Sequence, residues 1–214
     1  IKENFNWMME LTMPTSIQQF LFALGIAVFY WILSFLGTDA LAIGNVLVNI
    51  VLVGILPGVG FGMATMSLVS QSLGEQKLND MYQWPFDVSK IALIALGPLF
   101  LLAIIFPEPI ISIFIIEPEI VKKAVLPLRL DCIGVFLEVV TLIFMNSLNG
   151  VDQVKFVMWG AFICQWVIYL PLAYFMGITF GYGMVGVWGM WIVFQLLQVS
   201  LFGGFWYVKY RNYV

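Results

Sequence analysis

Glu138 sits near the middle of the apolar run 128–149. If that run crosses a bilayer, its centre lies at the hydrocarbon midplane, where a charged carboxylate costs on the order of 2.5–3.5 kcal/mol on insertion scales. An acid kept at that depth has two readings. Either it exchanges a proton or a small cation with a polar cavity, or it is a structural group hydrogen-bonded across helices. Asp131 precedes it by seven residues and so shares its helical face. By helical rise it stands about 10 Å away along the axis. Asp131 reads as an outer station on an ion path or as an interfacial group paired with Arg129 or a lysine.

Amides form the next chemical set. Gln18, Gln19, Asn45, Asn49, Asn146, Gln165, Gln195 and Gln198 all fall in apolar stretches. In lipid such groups seek partners inside the bundle, as bonds between helices or as the lining of a polar cavity. Phe22, Tyr30, Trp31, Met145, Trp166 and Tyr169 suit plain packing, or a greasy cavity able to hold aromatic cations. From the two sets, Gln18, Phe22, Tyr30, Asn49, Asn146, Gln165 and Gln195 are the candidate cavity lining, with Glu138 and Asp131 as candidate coupling-ion or substrate groups. Pro57 with its neighbour Gly60, Gly97-Pro98 and Pro171 break helices, and Pro57, Gly60 and Pro171 are hinge candidates.

The elements that must carry these groups follow from composition. The 214 residues are 62% hydrophobic and 10% charged, with nine Lys+Arg, twelve Asp+Glu and no His. An ordinary soluble domain is roughly 45–50% apolar and about 25% charged. With a mean hydropathy of +1.01, the solvent implied is the bilayer. A net charge of −3 offers no basic patch for phosphates, which excludes a nucleic-acid partner. Without His there is no imidazole metal site and no Ser-His triad. No CxxC, Walker loop or strand-linked GxGxxG is present, so the chain is not expected to be an enzyme or to hold an organic cofactor. Cys132 and Cys164 lie in apolar runs and read as small buried hydrophobes. The chain opens at Ile1 without a Met or a secretory pattern and is expected to be a piece of something longer.

Charge-free runs place six spans at about 17–36, 40–73, 82–106, 128–149, 156–176 and 184–208, within one all-α membrane unit covering 1–214. The run 40–74 would rise about 52 Å as one helix, well beyond a hydrocarbon core of roughly 30 Å, so it must tilt, bend or protrude, with Pro57 as the expected bend. Segment 107–127, punctuated by prolines and carrying Glu117, Glu119, Lys122 and Lys123, reads as an interfacial turn and amphipathic helix. Thr38-Asp39 is the expected N-cap of the second helix, and Gly74 its stop. Lys2, Lys77, Lys90, Lys155, Lys209 and Arg211 fall on one side, and only Lys122, Lys123 and Arg129 on the other. That bias puts both termini in the cytoplasm of a multi-pass plasma-membrane protein. Trp7, Trp84 and Phe205-Trp206-Tyr207 lie near the expected interfaces, as an aromatic belt does, while Trp31 lies deeper.

A family resemblance rests on an ordered set of motifs. Pro14 opens the first span, followed by Leu36-Gly37-Thr38-Asp39-Ala40-Leu41-Ala42 and by Pro57 with Gly60-Phe61-Gly62-Met63-Ala64. Leu68-Val69-Ser70-Gln71-Ser72-Leu73-Gly74, Asn149-Gly150-Val151-Asp152, Leu170-Pro171-Leu172-Ala173-Tyr174 and Gly186-Val187-Trp188 come next. In this order, over about 11–210, they resemble the carboxy-terminal lobe of the multidrug and toxic compound extrusion (MATE) family, NorM-like branch. The resemblance implies one six-helix lobe of a two-lobe, pseudo-symmetric antiporter. It also implies an acid twelve positions before the glycine closing the fourth helix; counted back from Gly150, that position is Glu138. The branch often carries Asp there, and often a glutamate eight residues after the opening proline, where this chain has Phe22. That departure weighs against a branch-type sodium site.

The expected function is efflux by alternating access, exchanging H+ or Na+ for organic cations such as drugs, with Na+ conceivable at Glu138. The expected partners are the lipid bilayer, small organic cations and a missing amino-terminal lobe, covalent or supplied by a second copy. A bacterial inner membrane is the expected location. The alternatives are a related flippase for lipid-linked oligosaccharides and a non-transporting scaffold or assembly subunit.

Overall fold

The computed structural model describes the backbone of residues 2–211 and the side chains of residues 12–211. Lys2 and Trp7, used above for orientation and interface, therefore fall outside the described side chains. Backbone groups in hydrocarbon must be satisfied within the chain, and helices do so segment by segment. Accordingly the described residues are helical, with no strand. The order is α1 (Lys2–Ser34), α2 (Thr38–Gly74), α3 (Leu78–Ile105), α4 (Pro107–Ser112), α5 (Pro118–Gly150) and α6 (Val154–Phe162). A π-helical segment (Ile163–Tyr169), α7 (Leu170–Tyr174), a second π segment (Phe175–Thr179) and α8 (Gly183–Tyr210) complete it.

Among the described residues, Thr12–Ser34, α2, α3, Val154–Thr179 and α8 are long and apolar enough to cross a membrane. The sixth long helix, α5, is the least apolar in sequence and the most enclosed. It packs most extensively on α2, then on α8 and α3, and its buried face runs from Val121 to Leu148. Enclosure by other helices lets it carry Asp131 and Glu138 without presenting them to lipid, while Arg129 stays exposed. The main core lies along this axis, with Leu47, Leu128, Val135, Ile143 and Val187 fully buried. A second cluster gathers Val69, Met81, Leu148 and Phe202 around Trp206.

Several boundaries differ from the sequence expectations. The fourth long helix starts earlier than 128: α4 ends at Ser112, and α5 begins at Pro118 and runs unbroken through Pro127 for 33 residues. Proline is tolerated at a first helical turn, where its missing N–H has no intrahelical partner to lose. Lys123 projects from that first part of α5 to Asp39 at 2.8 Å. The same aspartate is therefore an ion-pair partner and not a cap; Gly37, at φ 100, precedes the first residue of α2, and no side chain caps that end. The carboxylate's charge and hydrogen bond push the Lys123 ammonium pKa up from its usual value. Helix α2 is continuous through Pro57 and Gly60.

Helix α2 does end at Gly74, as expected, but the glycine is not the left-handed residue of the closure. The N–H of Lys77 donates to the Ser72 carbonyl at 2.9 Å and that of Gln76 to Leu73 at 3.1 Å, with Gln76 at φ 59. This is a Schellman closure with a non-glycine residue in the left-handed position. The end of α5 repeats it: Gln153 donates to Leu148 at 2.9 Å, Asp152 to Asn149 at 3.2 Å, and Asp152 has φ 66. In the first of these loops Lys77 sits against Glu75 at 2.7 Å and holds the Glu75 carboxyl below its usual range.

The fifth span is irregular for a chemical reason. Pro171 lacks an N–H and its ring crowds the preceding turn, where the ladder opens into π turns; a second π segment follows at Phe175–Thr179. The belt tryptophans are partly engaged inside the protein. Trp206 is buried and donates its indole N–H to the Tyr82 carbonyl at 3.2 Å, and Trp84 donates to Ser72 Oγ at 3.0 Å. Trp31, expected deeper, is exposed one turn from the end of α1 and stacks on Tyr174.

The α2–α5 crossing depends on small residues. A Cβ on Gly150 would lie 2.9 Å from both the Met66 carbonyl oxygen and Ser70 Oγ, and one on Gly62 3.1 Å from the Leu142 carbonyl oxygen. Gly150→Ala should therefore lower the thermal midpoint of the detergent-solubilised chain by the equivalent of about 1–3 kcal/mol. Gly189→Ala, where nothing lies within 4 Å, should leave that midpoint unchanged or raise it. Gln76→Gly should stabilise by about 0.5–1 kcal/mol by relieving the left-handed side chain, read as a higher midpoint in the same assay.

Candidate functional site

Helix α1 packs mainly on α6, α2 and the irregular fifth span. The space left between α1 and α5 is a cavity of about 830 Å³, within the roughly 300–1,000 Å³ typical of small-molecule sites. Glu138 reaches it from α5, Gln18 and Phe22 from α1, Gln165 from the first π segment, and Gln195 and Gln198 from α8. The apolar part of the wall includes Ile55, Val59 and Met66 of α2 and Met145 of α5. No Lys or Arg lines this cavity among the described residues, whereas Glu138 and Asp152 do.

The satisfaction of polar groups sets this cavity apart. Elsewhere the helices bond their own polar side chains to carbonyls one turn back: Thr65 to Phe61 at 2.7 Å, Ser89 to Pro85 at 2.6 Å, Ser147 to Ile143 at 2.7 Å. Five buried side-chain atoms have no hydrogen-bond partner among the described residues: Glu138 Oε2, Thr141 Oγ1, Asn149 Oδ1, Trp191 Nε1 and Gln195 Oε1. All five residues line the one cavity. Four of these atoms are oxygens that accept hydrogen bonds, and buried polar groups are ordinarily paired. Such a set suits a ligand that brings positive charge and donors. Glu138 is 8% exposed and Gln195 1%, and among the described residues no ion pair reaches Glu138.

Asp131 lies apart from this space. It lines a second cavity of about 190 Å³, shared with Glu138, Tyr169, Trp188 and Trp191. It is 6% exposed and accepts a hydrogen bond from the Trp188 indole. The pairing with Arg129 or a lysine is not formed: Arg129 donates its Nε–H to the Ile104 carbonyl at 3.1 Å.

The structure sorts the remaining candidates. Gln18, Phe22, Asn146, Gln165 and Gln195 line the large cavity; Tyr30 and Asn49 line neither. Tyr30 packs edge-on against Phe29, and Asn49 is exposed and turned to the Asn45 carbonyl on its own helix at 2.8 Å. Asn146 also back-bonds, to Leu142 at 2.8 Å, so it is not the interhelical glue its type suggested. Gln165 and Trp166 do bridge helices, donating to the Phe22 and Leu21 carbonyls of α1 at 3.5 and 3.3 Å. Of the hinge candidates, Pro57 and Gly60 lie within an unbroken α2, and Pro171 lies between the π segments. Thr141, Trp188 and Trp191 were not singled out as site residues. The spacing carried the signal: Trp188, Trp191, Gln195 and Gln198 recur at helical intervals on one face of α8, and Glu138, Thr141, Met145 and Asn149 do so on α5.

Comparison with known proteins fits this architecture. The chain is 26% identical over 187 residues to the "Uncharacterized transporter YisQ" of Bacillus subtilis (strain 168), covering 87% of this chain and 41% of that protein. It is 26% identical over 178 residues to a "Probable multidrug resistance protein NorM" of Thermotoga maritima, covering 82% and 38%. The chain thus spans about two-fifths of the length of these curated relatives. Its fold superposes on a MATE crystal structure in a straight conformation with a TM-score of 0.91 at 15% identity, covering 100% of this chain and 48% of the other. On a MOP-superfamily transporter from Pyrococcus furiosus the TM-score is 0.85 at 18% identity, covering 96% and 45%. The MatE family model matches residues 14–175, and the chain belongs to that family, with NorM-like relatives and the fold of one lobe of a two-lobe transporter.

Proposed function

We propose that the protein containing this chain is a secondary efflux transporter that exchanges an inward-moving H+ or Na+ for an outward-moving organic cation. Two lobes rock about the cavity between α1 and α5, and Glu138 binds the coupling ion or the positive end of the substrate. The second lobe is supplied by the same polypeptide or by another copy. Both termini face the cytoplasm of a bacterial inner membrane. The observation that carries the reading is the unpartnered Glu138 Oε2 in a drug-sized cavity whose other orphaned atoms are mostly acceptors. The relatives named as multidrug resistance proteins point the same way.

A flippase for lipid-linked oligosaccharides would need cations for its anionic headgroup, and the lining offers carboxyls in their place. A non-transporting scaffold gains nothing from keeping an uncompensated acid at the midplane.

Glu138→Gln in the full-length protein should cut efflux of a cationic dye such as ethidium at least tenfold in an efflux-deficient bacterium. Membrane levels of the protein should match the parent. Asn49→Ala, outside both cavities, should leave efflux intact. Undiminished efflux by Glu138→Gln would falsify the assignment.

A further inference from the structure

Glu138 lines both cavities, and they differ in what they can hold. The smaller, about 190 Å³, lies below the roughly 300–1,000 Å³ of drug-sized sites. It has room for a few waters or one small cation. Its two carboxyls, Glu138 and Asp131, are each more than nine-tenths buried and stand about 10 Å apart along α5 by helical rise. Glu138 Oε2 has no partner among the described residues, and Asp131 takes a hydrogen bond from the Trp188 indole.

No element packed around this space supplies a counter-charge among the described residues. On α5, Arg129 is turned to the Ile104 carbonyl of α3, and Cys132 is buried in the core. The faces of α1 and α2 on this cavity are apolar, from Gly25 and Phe29 to Val51 and Ile55. The first π segment contributes the Gln165 amide and the Tyr169 phenol, and α8 the two indoles of Trp188 and Trp191. Two uncompensated carboxylates in such a space are costly, and positive charge taken up from outside removes the cost.

We propose that Asp131 is a second station for the coupling cation, reached from Glu138 through the small cavity, and that Trp188 is its positioning residue. The inference rests on the reading that Glu138 exchanges a monovalent cation, and both H+ and Na+ satisfy the chemistry. The substrate occupies only the large cavity, so ion and substrate meet at Glu138 alone.

Trp188 makes the station observable. Tryptophan fluorescence of the purified full-length protein is followed in sodium-free choline buffer from pH 5 to 9, and at fixed pH as NaCl replaces choline chloride. The expected result is a titration whose amplitude is lost in Asp131→Asn and in Trp188→Phe, and retained in Asp131→Glu. In Glu138→Gln its midpoint moves by about one pH unit, as losing a charge about 10 Å away requires at an effective dielectric near 20. A response to pH alone identifies the proton; a response in the NaCl arm as well identifies sodium. A signal absent from both arms, or one that persists in Asp131→Asn and Trp188→Phe, overturns the proposal. If Asp131→Asn does not fold, Asp131→Glu decides: a displaced midpoint supports the proposal, and a midpoint identical to the parent's overturns it. This outcome is separable from the efflux assay: a missing titration alongside Glu138-dependent efflux removes the second station only. Retained efflux in Glu138→Gln removes the antiport reading instead.

Discussion

In hydrocarbon a polar group has no water to fall back on, so each one needs a partner from the protein or a cavity that admits one. The rest of this lobe follows from where that requirement is met internally and where it is not. Thr65, Ser89 and Ser147 return their hydroxyls to their own helices. The carbonyls at the ends of α2 and α5 are closed by matching Schellman turns. Among the described residues, buried acceptors are left open only along one face of α5 and the facing side of α8, and α5 bears them because it is walled in by α2, α3 and α8. The close α2–α5 approach at Gly62 and Gly150 holds that face in place. The looser seating of α1, propped on the irregular fifth span through Gln165 and Trp166, leaves the space beside it.

The sequence made the membrane class and the position of Glu138 legible, because both rest on hydropathy and helical rise, which depend on local composition. It was weaker wherever tertiary partners decide. Residues 118–127 read by charge as a separate segment, yet they are the first turns of α5, where Lys123 meets Asp39 at the start of α2. Gly74 marks the end of α2 correctly, but the left-handed residue is Gln76; a Schellman turn is defined by its hydrogen bonds, and glycine is only its commonest occupant. Asn49 and Asn146 have the residue type of interhelical glue and spend it on their own helices. Nothing local distinguishes such an amide from Gln165, which crosses to α1. Trp188 and Trp191 were hidden because indoles in a span read as packing or as belt residues, and the role of Trp188 appears only once α8 is laid against Asp131.

The internal echo between the ends of α2 and α5 was legible only in part. Leu73-Gly74-Glu75-Gln76-Lys77 and Asn149-Gly150-Val151-Asp152-Gln153 share little beyond the glycine, while their backbones close in the same way. In each the left-handed position is filled by a polar residue that tolerates it at some cost. At Asp152 the cost has a counterpart, because this residue lies at the rim of the large cavity, where a glycine would remove its carboxylate. Gln76 has no such position, and for that reason it is the safer site to relax.

Coupling between an ion and a substrate requires that binding one disfavours the other or favours a different conformation. The usual structural account invokes a path of packed residues between two sites, which is hard to test. Here the geometry needs no path. The large cavity suits a drug-sized ligand, the small one a lone cation, and Glu138 is the carboxyl common to both walls. On the proposed reading, a cation on Glu138, on its way to or from Asp131, neutralises the charge that an organic cation would seek from the other side. A substrate on Glu138 leaves Asp131 as the only carboxyl for the ion. Competition is then a property of one side chain in two rooms. The conformational change has only to decide which room is open to which side of the membrane.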